Sequence, residues 1–326
     1  MKTPTGAVFL TWNDSRRSVS LAEILDMSRV VFVARRRGAL RHALGLLATG
    51  LFLLRRRPRL VWYQFSHVLG LLLAIYARLG KRRRIRLIAD IHTKALRRRG
   101  SPGLAWLVTA TKGWALRSCC FTLVTNEQNA AYGRRLLGIS PLVLPDPLPT
   151  PPQAGLASPS ADVVFICSFA SDEPIRLIAD VCRRLGTTVS AAATGDPTHL
   201  VPRLRRELQA TARLTGYLAE SEYWSLLRSA RCVVVLSTEP ACLPSGGYEA
   251  IAIGHRPVLA ADPIAEAVFG PCAIYSVLEA DAIVAAIRGV LETPSATDAA
   301  APGVYRGRWQ QYWDAVAGPL TSCTAS

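Results

Sequence analysis

Glu239-Pro-Ala-Cys-Leu-Pro-Ser-Gly-Gly-Tyr-Glu-Ala-Ile-Ala-Ile-Gly-His-Arg-Pro-Val-Leu-Ala260 is the stretch on which the reading of this chain turns. An apolar strand, Cys232 to Leu236, runs into it. A short helix starts near Ser245 and stops at Gly254, and a second apolar run begins at Pro257. Two glutamates and a Gly-Gly pair therefore sit where a strand hands over to a helix. In an α/β sheet that place offers backbone N–H groups to an anionic ligand. The stretch predicts a phosphate-bearing ligand.

Working outward, strand-like runs alternate with helical patterns. Ala7–Trp12, Val30–Ala34, Leu60–Phe65, Arg86–Ile91, Phe121–Thr125 and Leu142–Leu144 read as strands. Ser18–Met27, Gly38–Leu54, His67–Leu79, Gly103–Arg117 and Glu127–Leu137 read as helices between them. Such alternation argues for a parallel sheet with helices on both faces. Proline and small residues then crowd the chain up to Ser160, which reads as a linker. The alternation restarts with strands at Asp162–Cys167, Thr188–Ala192, Cys232–Leu236 and Pro257–Ala260. The helices there are Pro174–Leu185, Ser221–Ser229, Ser245–Ile253 and Ala280–Leu291. A last helical segment, Tyr305–Val316, is rich in Trp and Tyr. The expected layout is a basic first domain at 1–147, a Pro-rich linker at 148–160, a second domain at 161–303, and a tail helix at 304–326 crossing back to the first. Trp309, Tyr312 and Trp313 are expected to pack that helix across the domains.

The net charge of +16 over 326 residues is uneven. Residues 1–150 hold 26 Lys/Arg against 6 Asp/Glu, and the rest of the chain is slightly acidic. Runs at Arg35–Arg37, Arg55–Arg57, Lys81–Arg84 and Arg97–Arg99 flank strongly apolar segments. The segment Ala43–Leu54 is too short to cross a bilayer, while Leu60–Ala77 has the length but contains Gln64, Ser66 and His67. The pattern predicts a domain resting on an anionic membrane, at about 1 kcal/mol of attraction per basic residue near the surface. A solvated basic face is the plainer alternative. Nucleic acid is not expected as a partner: no helix-turn-helix, zinc finger or stacking motif accompanies the basic runs. Eight cysteines show no metal spacing, and no secretory signal is apparent, so reduced thiols on the cytoplasmic face are expected.

No Gly-x-Gly-x-x-Gly opens a domain, and no Walker loop, His-Glu-x-x-His or Gly-x-Ser-x-Gly occurs. Nicotinamide dehydrogenases, P-loop NTPases, zincins and α/β-hydrolases lose support. What is present is Pro244–Ala260, with Glu-Ala-x-Ala-x-Gly-x-x-Pro-Val from Glu249 to Val258. This resembles the nucleotide-sugar loop of GT-B glycosyltransferases, particularly family 4. The runs starting at Leu214, Glu222 and Val233 resemble the lead-in to that loop. Arg16-Arg17-Ser18, Ala89 to Thr93, Val124 to Glu127 and Leu144 to Pro149 resemble a subset that builds lipid-linked or surface polysaccharides.

The resemblance implies an α/β, GT-B architecture: two Rossmann-like, doubly wound domains facing a cleft. It implies sugar transfer from a nucleotide-diphosphate donor to a lipid-linked or glycan acceptor, with no bound metal and no cofactor, the nucleotide-sugar being a substrate. If Ser245 caps the helix, Gly246 and Gly247 let a diphosphate approach the first-turn amides. Tyr248 completes that turn. Glu249 takes the ribose hydroxyls, and Glu239 touches donor-sugar hydroxyls. Nine residues separate the two glutamates where the family has seven. The family's basic loop after the first strand of the second domain reads Ser168 to Glu173 here, without a base. The helix N-terminus, Ser168, and Arg16 or Arg17 reaching across the cleft are the candidates to neutralise the leaving group. Thr194 and Gly195 lie toward the nucleotide base. Asp90 and His92, at a strand's C-terminal edge, either orient the acceptor or serve as a base, or else end a strand and cap a helix. Asn13 borders the acceptor or simply turns the chain, and Asn126 caps the helix after it. The expected function is thus a membrane-associated glycosyltransferase. A catalytically inactive GT-B partner subunit is the first alternative and a basic nucleic-acid-binding protein the second.

Overall fold

Parallel strands covered on both faces have to be apolar throughout, and the sequences show it. Leu60–Gln64 (LVWYQ) is buried at its first four positions and Cys232–Val235 (CVVV) at all of them. A computed structural model describes residues 6–32, 39–80, 85–97, 102–152, 160–293 and 299–325. They divide into two units, 1–147 with 309–326, and 148–308.

In the first unit, β1 (Ala7–Thr11), β2 (Ser28–Val31), β3 (Leu60–Gln64), β4 (Arg86–Ile91), β5 (Phe121–Val124) and β6 (Leu142–Val143) form one sheet. Its order is β2-β1-β3-β4-β5-β6, every pairing parallel. The helices are α1 (Arg16–Ile24), α2 (Ala39–Arg56), α3 (His67–Leu79), α4 (Thr93–Arg97), α5 (Ala105–Arg117) and α6 (Glu127–Tyr132). The order reverses between β1 and β3, which makes their C-terminal ends the switch point of this sheet.

The second unit repeats the plan with β7 (Val163–Phe165), β8 (Ala191–Ala193), β9 (Arg213–Leu214), β10 (Cys232–Val235), β11 (Val258–Ala260) and β12 (Ile274–Ser276). The order is β12-β11-β10-β7-β8-β9, again parallel throughout. Its helices are α7 (Ile175–Leu185), α8 (Pro202–Gln209), α9 (Glu220–Ser229), α10 (Ser245–Ala252), α11 (Pro263–Phe269) and α12 (Ala280–Glu292). Helix α7 shows why the pattern folds this way. Ile175, Ile178, Ala179, Cys182 and Leu185 recur at helical spacing and bury against the sheet, and Gly186 ends the helix at φ +78°. Here the switch point lies between β7 and β10.

The last helix, α13 (Ala301–Ala325), begins in the second unit and ends in the first. Val316 and Leu320 bury in the first unit's core with Phe9, Trp62 and Leu144, and Trp309, Tyr312 and Trp313 pack against the same cluster. Trp309 stacks on Trp313 at 5.5 Å and donates to the Pro145 carbonyl at 3.0 Å.

No helix among the described residues is long and apolar enough to cross a membrane. The segment 60–77 divides into the buried strand β3 and the thirteen-residue helix α3, about 20 Å long. The basic runs at 35–37, 81–84 and 98–99 lie outside the described residues, and of Arg97 only the backbone is described.

Candidate functional site

Helix α10 starts at the switch point of the second sheet. Its N-cap position is held by Pro244, not by Ser245, which is the first helical residue. Proline has no side-chain acceptor, so no side chain caps the first turn. The Gly247 amide bonds back to the Pro244 carbonyl at 3.0 Å. The expected capping role of Ser245 is therefore corrected: the Gly247 amide is taken up by the Pro244 carbonyl, and no side chain caps the turn.

The glycines have a packing reason of their own. A Cβ on Gly246 would lie 2.8 Å from Ile166 Cγ2, just past the end of β7, and one on Gly247 would lie 3.3 Å from the Phe269 ring. Glycine at 246 lets the helix start press against the strand beside it. Tyr248 is buried against the rings of Phe269 and Tyr305, at 4.7 and 5.6 Å, so it anchors the turn from inside. Glu249, one turn in, is only 7% exposed. The Tyr223 hydroxyl, on α9, donates to its carboxylate.

The loop between β10 and α10 is stitched at both ends. Ala241 stands at φ +55°, and its amide donates to Asp262 Oδ2 at 3.0 Å. The other Asp262 oxygen caps α11 through the amides of Ile264 and Ala265. Glu239 is half-buried beside this kink, its amide donating to Ser237 Oγ and its carbonyl accepting from Cys242.

Facing it, the loop after β7 is closed on itself. Ser168 and Phe169, the latter at φ +58°, turn successive amides inward and form a nest for an anion. The occupant is the chain's own Glu173. Its carboxylate accepts from the amides of Ser168 and Phe169 at 2.7–3.0 Å and from Ser168 Oγ at 2.8 Å. Ser168 therefore spends its hydroxyl within the loop. Thr194, buried, bridges the amide and carbonyl of Cys167 through Oγ1. Gly195, at φ +95°, passes so close that a Cβ would lie 2.5 Å from the Cys167 carbonyl oxygen. A bridge from Gly195 to Gly216 then leaves Tyr217 91% exposed at the sheet edge.

In the first unit the corresponding edge is built around a buried ion cluster. Arg17, 2% exposed on α1, donates from Nε and Nη2 to Asp90 at 2.6–2.9 Å and from Nη1 to Asp146 at 2.8 Å. Burial opposes its charge, but the two carboxylates outweigh it and hold Arg17 above the ordinary arginine range. Two sequence expectations change. Arg17 has its guanidinium taken up by Asp90 and Asp146 inside its own unit. Asp90, the proposed base or acceptor contact, is a fully buried counter-ion whose oxygens already accept from a guanidinium. Arg16 is half-buried at the start of α1. His92 follows β4 with Nε2 4.0 Å from Asp90 Oδ2, and its carbonyl accepts the Leu96 amide at the start of α4. Asn13 is tied by Arg41, whose guanidinium reaches Asn13 Oδ1 at 2.5 Å. Asn126 caps α6 by accepting from Asn129 at 2.9 Å. Among the described residues no cluster of His, Cys, Asp and Glu is arranged to hold a metal ion.

Tyr223, Glu173 and Asp262 were not singled out by sequence. Each acts through a loop or a neighbouring helix, and only Asp262, an Asp before a proline at a helix start, carries a local signal.

No family model matches the chain, and no curated protein matches it. Solved structures do. Anabaena HepE in complex with UDP and glucose is similar at 17% identity and TM-score 0.69, over 97% of this chain and 91% of that one. A glycosyltransferase from Rickettsia africae ESF-5 is similar at 8% identity and TM-score 0.62, over 96% and 90%. A UDP-N-acetylglucosamine 2-epimerase is similar at 10% identity and TM-score 0.58, over 95% and 91%. At these identities the likeness is one of fold, and the fold is GT-B.

Proposed function

We propose that this chain is a glycosyltransferase that takes a sugar from a nucleoside-diphosphate donor held at the C-terminal edge of the second sheet. The observation that carries the reading is Glu249: a buried carboxylate one turn into a helix whose first turn no side chain caps, at the switch point where α/β sheets bind nucleotides. The diphosphate lies on the amides of Ser245 and Gly246 at the start of α10. Glu249 accepts from the ribose hydroxyls while Tyr223 fixes its orientation. Tyr217 offers the base an exposed aromatic face. Glu239 reaches the sugar. Uridine is the first donor base to test, since the similar Anabaena protein was crystallised with UDP and with UDP-glucose.

The acceptor falls to the first unit, with His92 as the group to orient or deprotonate its hydroxyl; Asp90 holds the edge together through Arg17. We place that unit on an anionic membrane at the inner face of the cell and take the acceptor to be lipid-linked, in surface polysaccharide or glycolipid synthesis. The basic balance of residues 1–150 supports this.

One observation favours a second reading. The nest after β7 holds Glu173 and presents no basic side chain to a leaving diphosphate. A GT-B subunit that binds a nucleotide-sugar without transferring it, beside an active partner, would have that loop. A thermal-shift screen with uridine, guanosine, adenosine and thymidine diphosphates tests the site: one nucleotide raises the melting temperature of the wild type and fails to raise that of Glu249→Ala. Flat melting curves for all four would remove the donor reading. Transfer from the matching sugar nucleotide to extracted membrane lipid separates enzyme from scaffold.

A further inference from the structure

Helix α2 is apolar on two opposite faces. One face enters the first unit's core, with Leu53 and Thr49 buried, Phe52 partly so, and Gly45 against the Trp12 ring. The other carries Leu40, Leu44, Leu47, Leu51 and Leu54, and all five are exposed, Leu47 at 63% and Leu54 at 68%. Their spacing alternates four and three residues, which gathers them into a stripe about 80° wide on an α-helix. A helix apolar on all sides is normally buried on all sides. This one leaves a continuous row of leucines without cover among the described residues. A scattering of exposed leucines would need no explanation, but an aligned row does.

The charges around the row say what covers it. Helix α2 contains Arg41, His42, Arg55 and Arg56 and no acidic residue, and Arg57 and Arg59 follow it, both exposed. Three more arginines precede it in the sequence. At the end of the neighbouring helix α3, Leu79 is 85% exposed and Ile75 49%, with Arg78 between them. The Tyr76 hydroxyl donates to the Pro58 carbonyl, so this end of α3 lies beside the end of α2. A second copy of the chain would set arginines against arginines along the same row. An anionic bilayer offers what both sets of side chains require: acyl chains for the leucines and headgroup phosphates for the arginines flanking them.

We infer that α2 is the membrane-inserting element of this protein, lying in the plane of an anionic leaflet with the Leu40–Leu54 row in the acyl boundary. The inference rests on the membrane reading above and is independent of the donor site.

Flotation of the full chain on phosphatidylglycerol/phosphatidylcholine vesicles tests it. The wild type floats, and more weakly at high salt. The Leu47→Glu/Leu54→Glu double variant partitions at least about a hundredfold more weakly, taking about tenfold for each buried leucine lost. Its melting temperature stays that of the wild type, because both side chains are exposed. Hydrogen exchange of the wild type needs no substitution: amides 40–54 exchange more slowly on anionic vesicles than in buffer. Equal flotation of variant and wild type would overturn the assignment, as would unchanged exchange at 40–54. So would a wild-type dimer that the double variant dissolves with flotation unaffected, which would make the row a self-association face. If the wild type fails to float, the membrane reading falls with this inference, while the nucleotide screen still stands or fails by itself.

Discussion

At the scale of single residues, the cluster of Arg17, Asp90 and Asp146 is the part of the molecule least open to change. One guanidinium satisfies two carboxylates, and Asp90 has no exposed surface. Arg17→Met removes the charge and leaves both acids facing a low-dielectric interior. The expected loss is about 3–5 kcal/mol, read from urea unfolding; a loss below about 1 kcal/mol would mean the cluster is solvated. The sequence did not disclose this cluster, because its members are 73 and 129 residues apart. An Arg-Arg-Ser run reads locally as a surface feature, and only the three-dimensional path brings Asp90 to it. Glu249, by contrast, was legible, since the strand before it and the glycines beside it are neighbours in sequence. Titration adds a further expectation. Burial lifts the thiols of Cys119, Cys182 and Cys232 from the ordinary 9.0 to about 12. The unfolded chain therefore releases protons between pH 9 and 12 that the folded chain keeps. Stability falls as pH rises through that window, by up to about 1.4 kcal/mol per pH unit for each thiol. Urea midpoints at pH 8 and pH 10 check this, and equal midpoints would contradict it.

At the scale of elements, the join between β7 and α10 is the critical one. Gly246→Ala places a methyl group against Ile166 and forces the first turn of α10 away from the sheet. The expected cost is about 1–3 kcal/mol of stability with weakened nucleotide binding. Adding Ile166→Ala should restore much of the nucleotide binding, because it removes the two atoms nearest the new methyl group, Cγ2 and Cδ1. If the double variant is no better than Gly246→Ala, the glycine serves something other than this contact. Elements were legible where the pattern was long and two-sided. Buried parallel strands such as β3 and β10 announce themselves as unbroken apolar runs, and α7 by its period. Strands β9 and β12 leave no mark in the sequence, because two or three residues at a sheet edge carry no periodicity. Helix α8 leaves none either, because of its eight residues only Leu208 is buried. Helix α2 was visible as a helix, but its outward leucine row was not. Periodicity alone cannot tell which of two apolar faces meets the core.

At the scale of the whole molecule, two sheets of the same design carry opposite burdens. The first unit holds most of the positive charge and the leucine row; the second holds the uncapped helix start and the buried glutamate. Composition alone foretold the division of charge. Helix α13 ends in the first unit, where Trp309, Tyr312 and Trp313 pack against its core. The closing of the β7 loop by Glu173 was not legible, since no spacing rule distinguishes a carboxylate that fills a nest from one that faces solvent. The central claim concerns the second unit, and a crystal of the chain grown with UDP tests it most directly. Diphosphate density is expected on the amides of Ser245 and Gly246, with ribose within hydrogen-bond distance of Glu249. Nucleotide bound elsewhere, or an α10 start that stays empty at saturating UDP and at saturating guanosine, adenosine and thymidine diphosphates, would contradict it.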